Sequence, residues 1–447
     1  MNTFELIPQK LVFGGAALGY HAGQAVLAPL ALPGERVEVE PVRSAKGMVH
    51  ARLLRVLESA PERTTPLCPY FGDCGGCQYQ HLSSEKALEW KASILRETLR
   101  RVGKINWEQE IRVRSAFPWS YRNQAHLKVN IRADGMAGLG FFAAESHRLV
   151  EIENCRIISP RLNETLAGLR QALQPAWLKG CGEITMMADD EDRRVMLTFA
   201  GEMDAGARGN IAVETLKLIP WVQTVAFAMR DAMDTCGEPS LTYQAASFRY
   251  QISPGSFFQA SRFLIPGLVD AVTQTIIGQG SAPGMNSKPR QHYGSRQREM
   301  GGQRVALDLY AGCGLFALPL ARQYDLVMAV EAHAGSARDL AASARAHGLR
   351  NLNAVHGPVH EFLRRFAGPT PGLVVLDPPR TGVNLPSLRL LASLGAAQLC
   401  YVSCHPPTLA RDLNYLTQHG YRLDSVEMFD LFPQTHHIES IARLTMA

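Results

Sequence analysis

Cys404 stands between the apolar run Tyr401-Val402-Ser403 and the stretch Pro406-Pro407-Thr408-Leu409-Ala410-Arg411. Proline favours the first turn of a helix, so this spacing predicts a thiol at or just before a helix N-terminus. The free N–H groups and dipole there stabilise a thiolate and lower its pKa, which would make Cys404 a nucleophile. A free cysteine is more often a small buried hydrophobe. Cys400, in the middle of its run, fits that description; Cys404 does not. A second reactive group, the carboxylate of Asp377-Pro378-Pro379-Arg380, directly follows the apolar run Leu373–Leu376. The prolines fix the backbone just beyond it.

A ligand site precedes both. Asp308-Leu309-Tyr310-Ala311-Gly312-Cys313-Gly314 closes one apolar run with a glycine turn that lets backbone approach a ligand, and Glu331 closes the next. A Gly-x-Gly turn alone says little, since any tight strand-to-helix turn can use one. Joined to a carboxylate about 20 residues on, placed to accept two ribose hydroxyls, it favours a nucleotide or adenosyl ligand.

The chain has nine cysteines, and three are clustered: Cys68, Cys74 and Cys77 give C-x5-C-x2-C. An iron–sulfur cluster needs a fourth thiolate, and four thiolates suit structural zinc equally well.

The elements that must position these groups follow from pattern. Val305–Tyr310, Leu326–Glu331, Leu373–Leu376 and Gln398–Ser403 are short apolar strands separated by helical stretches, and Tyr421–Phe429 and Ile438–Leu444 form a terminal pair. Such alternation predicts an α/β fold, an open and mostly parallel sheet with ligands beyond its carboxyl ends. Phe4–Phe13, Gln24–Ala28 and Arg36–Val42 alternate as strands of a small barrel, residues 1–58. Residues 59–110 hold the cysteine cluster and a helix from Ser84 to Val102 behind a serine cap. Residues 111–250 read as a mixed α+β region with strands at Ala125–Ile131, Arg194–Phe199 and Thr224–Ala228, and 251–447 as the α/β domain. Within the latter, 283–302 has the composition of a flexible basic insertion, with Lys288, Arg290, Arg296 and Arg298 against Glu299.

The net charge of +5 is compatible with a polyanionic partner without demanding one. No run approaches the roughly 18 apolar residues of a membrane span, and the N-terminus lacks a signal-peptide pattern. The expectation is a cytoplasmic protein with no membrane partner, acting as a monomer.

These motifs resemble the RNA 5-methyluridine (uracil-C5) methyltransferases, a branch of the Rossmann-like class I S-adenosylmethionine enzymes. The matching stretches are Ser256-Phe257-Phe258-Gln259, Asp308 to Gly314, Val330-Glu331, Asp377 to Arg380, Val402-Ser403-Cys404 with Pro406, and Phe432-Pro433-Gln434-Thr435-His436-His437-Ile438-Glu439. Residues 1–58, notably Ala31-Leu32-Pro33-Gly34-Glu35, are similar to the family's OB-like TRAM barrel, and Cys68 to Gln78 to the branch that carries a [4Fe-4S] cluster. The resemblance implies that Gln259, Tyr310, Glu331 and Asp377 contact S-adenosylmethionine. It makes Cys404 the nucleophile and Glu439 the base, with Cys155 as the fourth cluster ligand. Ser261, Leu315 and His405 depart from the usual pattern.

The implied chemistry suits these residues. C5 of uracil is too weak a nucleophile to accept a methyl group directly. A thiolate added to C6 moves electron density to C5, and a base must then remove the C5 proton so that the thiolate can leave. The target base must be flipped out of folded RNA, with Tyr121-Arg122-Asn123, Phe141 and Phe142 as possible grips. Ribosomal RNA is favoured over transfer RNA as substrate. The competing readings are a radical S-adenosylmethionine enzyme, which would use C-x3-C-x2-C, and a non-catalytic RNA-binding iron–sulfur protein.

Overall fold

The computed structural model describes residues 3–230, 232–274 and 303–447, so the basic stretch 283–302 lies outside the described residues. An eight-stranded sheet carries the C-terminal motifs. Its order is Leu352–His356, Leu326–Glu331, Val305–Leu309, Leu373–Leu376, Gln398–Ser403, Glu439–Met446, Tyr421–Phe429 and Arg112–Arg114. The first five are parallel, and Glu439–Met446 runs antiparallel to both its neighbours. Val305–Leu309 and Leu373–Leu376 are buried at every residue, as strands covered by helices on both faces must be. Alternate side chains enter different cores, Leu307 and Leu309 on one face and Ala306 on the other. Strand order reverses between Val305–Leu309 and Leu373–Leu376, which opens a crevice beyond their carboxyl ends.

The N-terminal sheet has six strands in the order Phe4–Leu6, Arg36–Ala45, Met48–Glu58, Gln24–Pro29, Ala16–His21 and Lys10–Leu11. Three register shifts in the pairing of Arg36–Ala45 with Met48–Glu58 increase its coil. The sheet curls until its ends meet: a Cβ on Gly19 would lie 2.8 Å from Leu6 Cδ1. The alternation expected through Phe4–Phe13 breaks at Pro8, which cannot donate to a ladder. This sheet, the helix Ser84–Arg101 and one face of the C-terminal sheet share a single core.

The central sheet has seven strands and its own core under the helices Pro160–Ala172 and Ala205–Leu218. The expected strands are present as Gln124–Ile131, Val195–Gly201 and Val222–Ala228. Two expectations change. Arg112–Arg114, read as part of the central region, instead edges the C-terminal sheet beside Tyr421–Phe429. Tyr121 and Asn123, read as possible RNA grips, are 1% and 0% exposed, and Tyr121 OH donates to Pro433 O at 3.0 Å. No described helix is long and apolar enough to cross a membrane.

Candidate active site

Cys404 ends the strand Gln398–Ser403 and precedes the helix Pro406–Gln418, as the prolines imply. His405 caps that helix: its Nδ1 accepts from Thr408 N at 3.4 Å, so a ring nitrogen here does the usual work of an asparagine oxygen. The other departures are also accommodated. Ser261 is buried and pairs through its backbone with Arg122, and Leu315 O accepts from buried Tyr250 OH at 3.1 Å.

Glu439 opens the strand Glu439–Met446. The antiparallel register sets Ser403 opposite Ser440, which brings Cys404 alongside Glu439 one step further on. Asp377 lies at the end of the adjoining parallel strand, and Gln259 Nε2 donates to its Oδ2 at 3.3 Å. Four of the expected site residues thus meet across three strand ends and one loop.

Their electrostatics are those of a crowded acidic site. Burial lifts Asp377 to about 7 against the hydrogen bond from Gln259. Burial and then the Asp377 charge hold Glu439 well above the usual carboxylate range, while Arg380 opposes them. Cys404 differs from expectation. Its pKa is raised, to about 11, first by burial and then by the Glu439 and Asp377 charges, which outweigh Arg380 and a backbone hydrogen bond. The resting group is a thiol.

Glu331 and Tyr310 occupy the other part of the crevice. The Glu331 carboxylate accepts from Gly312 N at 2.8 Å and His333 N at 2.6 Å, bracing the glycine turn. Gly312 is left-handed at φ 54°, and a Cβ there would meet nothing closer than Phe257 O at 3.9 Å. The backbone therefore faces open space beside Glu331, and Asp377 adds a second acidic group to the same end of the sheet. An acidic crevice with an accessible turn fits a cationic adenosyl ligand. Tyr310, held at φ 66°, also lines a cleft of about 590 Å³ with Asn384 and Tyr415.

Arg380 and His437 were legible only as parts of longer motifs. Arg380 is the cation that acts on both Cys404 and Glu439, and its guanidinium lies 3.4 Å from His437 Nε2. Both line a cavity of about 360 Å³ facing the central sheet, with Arg122, His126 and exposed Phe257.

The four cysteines lie elsewhere. Cys68, Cys74, Cys77 and Cys155 all line one cavity of about 270 Å³, with Phe141 and Phe142 on its wall. All four are unpaired. Burial, with smaller contributions from neighbouring thiols, raises Cys74 to about 11 and Cys77 to about 12. Among the described residues no three His, Cys, Asp or Glu side chains form a group that could hold a metal ion.

Residues 297–446 match the family model described as tRNA (Uracil-5-)-methyltransferase. The chain is 31% identical to the 23S rRNA (uracil(1939)-C(5))-methyltransferase of Shewanella amazonensis, over 97% of this chain and 94% of that one. It is 30% identical to an RNA methyltransferase of Aquifex aeolicus, over 99% and 98%. Its fold is that of the Pyrococcus abyssi tRNA (uracil-54, C5)-methyltransferase crystallised with S-adenosyl-L-homocysteine. That match has a TM-score of 0.72 at 21% identity and covers 99% of this chain and 100% of that one. Full-length identity at this level to a uracil-specific relative, together with the matched family model, shows that the chain belongs to the RNA uracil-C5 methyltransferases.

Proposed function

We propose that the protein methylates C5 of a uridine in ribosomal RNA through a covalent adduct between Cys404 and C6, with S-adenosylmethionine as methyl donor. The observation that carries this reading is the meeting of Cys404, Glu439 and Asp377 at adjacent strand ends. When bound, S-adenosylmethionine supplies a methyl group on a cationic sulfur; Gln259, Tyr310, Glu331 and Asp377 are the residues to hold it.

The residues of the chain then act in order. Cys404 loses its proton to water and its sulfur bonds to C6, moving the C5–C6 electron pair onto the ring as an enolate. Arg380, the nearby cation, favours that negative charge. Once C5 carries the methyl group, the Glu439 carboxylate takes the C5 proton. The C–H electron pair re-forms the C5–C6 double bond as the C6–S bond breaks and expels the Cys404 sulfur. Proton return to Cys404 and loss from Glu439 restore the enzyme, with one proton released overall. The raised pKa of Glu439 makes it a stronger base than a surface carboxylate.

The cavity lined by Arg122, His126, Phe257 and Arg380 is the place for RNA beside the target, and the curled N-terminal sheet serves as a TRAM-like RNA grip. The reading includes a [4Fe-4S] cluster, for which four thiols lining one cavity are the candidate ligands. Cys68, Cys74, Cys77 and Cys155 would hold it. Ribosomal RNA is favoured because the uracil-specific relatives at 29% and 31% identity are named for 23S rRNA, and a cytoplasmic enzyme would meet that substrate. Mapping 5-methyluridine in total RNA from cells with and without the gene tests this. Loss of one ribosomal site is expected, and loss confined to transfer RNA would reassign the substrate.

A further inference from the structure

The turn leading into Glu439 is held by three segments distant in sequence. Lys91 Nζ, from the helix Ser84–Arg101, pairs with Asp430 at 2.6 Å and donates to Phe432 O at 3.0 Å. Tyr121 OH holds Pro433 O. The cysteine segment supplies the rest. The N–H groups of Gln78 and Tyr79 both donate to Gln434 O, at 2.9 and 3.0 Å. Gln434 sits at φ 66°, a left-handed conformation that a non-glycine residue keeps only where its surroundings compensate.

The side chain of Gln78 adds a second tie. Its Oε1 lies 3.2 Å from His436 N and 3.1 Å from His436 Nδ1, and its Nε2 donates to Gly75 O at 2.9 Å. An amide whose nitrogen donates to a carbonyl must present oxygen to His436, which fixes the Nδ1–H tautomer of that ring. Gly15 of the N-terminal sheet closes over the contact: a Cβ there would lie 3.0 Å from Gln78 Cβ. Gln78 directly follows Cys77, and His436 stands three residues before Glu439.

We propose that Gln78 is a positioning residue for proton removal: through its carboxamide, the cysteine segment sets the geometry of the His436-to-Glu439 approach. This rests on the assignment of Glu439 as base. Cys404 is carried by other elements, the strand Gln398–Ser403 and the helix Pro406–Gln418, so loosening this tie separates the two halves of the reaction. Adduct formation at Cys404 is spared, and resolution of the methylated adduct is slowed.

The test compares full-length Gln78→Ala and Gln78→Glu with wild type, all purified without oxygen, by hydrogen exchange at the His436 amide, steady-state kinetics and the fraction of protein bound covalently to RNA. For Gln78→Ala the His436 amide should exchange faster and kcat should fall by about ten- to a hundredfold, the scale of a small misplacement of a reacting group. KM for RNA should change little, and methylated adduct should accumulate. Gln78→Glu keeps an acceptor for His436 N–H and should recover most of the loss. Wild-type kcat in Gln78→Ala, an equal loss in Gln78→Glu, or a loss that merely tracks iron content would overturn the proposal. Glu439→Gln run in parallel keeps the two readings apart: its normal turnover would remove the base assignment, whereas His436 exchange reports the Gln78 tie independently.

Discussion

Replacing Asp377 with asparagine should stabilise the protein while abolishing its activity. Asp377 carries a folded-state pKa of about 7, against 3.8 for an unburied aspartate, because burial disfavours its charge. Below 3.8 both folded and unfolded chains hold the proton, and ionisation costs nothing. Between 3.8 and 7 the folded chain holds a proton that the unfolded chain has released, so stability falls as pH rises, and it levels off above 7. At about 1.4 kcal/mol per pH unit, the full window comes to about 4 kcal/mol. Asparagine carries no such cost and keeps an oxygen to accept from Gln259 Nε2. It also removes a charge that raises Glu439, an effect of the same sign. The assay is the thermal midpoint of wild type and Asp377→Asn, without cofactor, from about pH 5 to 8. The variant's advantage should be small at the acid end and grow to several degrees at the alkaline end. A variant less stable than wild type at pH 8, or an advantage independent of pH, would refute the argument.

Other consequences follow from the same groups. Methyl transfer should speed up from about pH 6 to 9, because Asp377 sheds its proton near the start of that range and the thiolate fraction of Cys404 grows through it; a rate that falls over the range would contradict their assigned states. Protein purified without oxygen should be brown and contain iron and sulfide in equal amounts, and Cys155→Ala should bleach it; stoichiometric zinc without sulfide would disprove the cluster. Lys91→Ala leaves Asp430 buried without its partner and should destabilise the fold by about 3–5 kcal/mol in chemical denaturation, whereas a near-neutral effect would show the pair to be dispensable.

The C-terminal sheet was the most legible part of the chain. Strands buried on both faces are mostly apolar, so Val305–Leu309 and Leu373–Leu376 stand out, and Asp377, Glu331 and Cys404 stand out again as polar residues at or just beyond strand ends. Contacts spanning hundreds of residues left no local trace. Arg112–Arg114 is three exposed residues with no pattern, yet it pairs with a strand more than 300 positions away. Tyr121 and Asn123 look like surface grips because their types are polar, but the turn before Glu439 buries Tyr121. The Cys404 thiol was misjudged for a related reason. A helix N-terminus can be read from the prolines, but the burial that chiefly raises the thiol, and the two carboxylates that add to it, come from elements far along the chain.

The division of labour between Cys404 and Glu439 is open to intact mass spectrometry of Glu439→Gln incubated with substrate RNA and S-adenosylmethionine. Glutamine keeps the shape of Glu439 but cannot take the C5 proton, so the methylated adduct should form and persist. The predicted species has the mass of protein plus RNA plus one CH2, since the methyl is gained and the thiol proton lost, and it should vanish when Cys404→Ala is added. Wild-type turnover by Glu439→Gln, or an adduct that survives loss of Cys404, would contradict it.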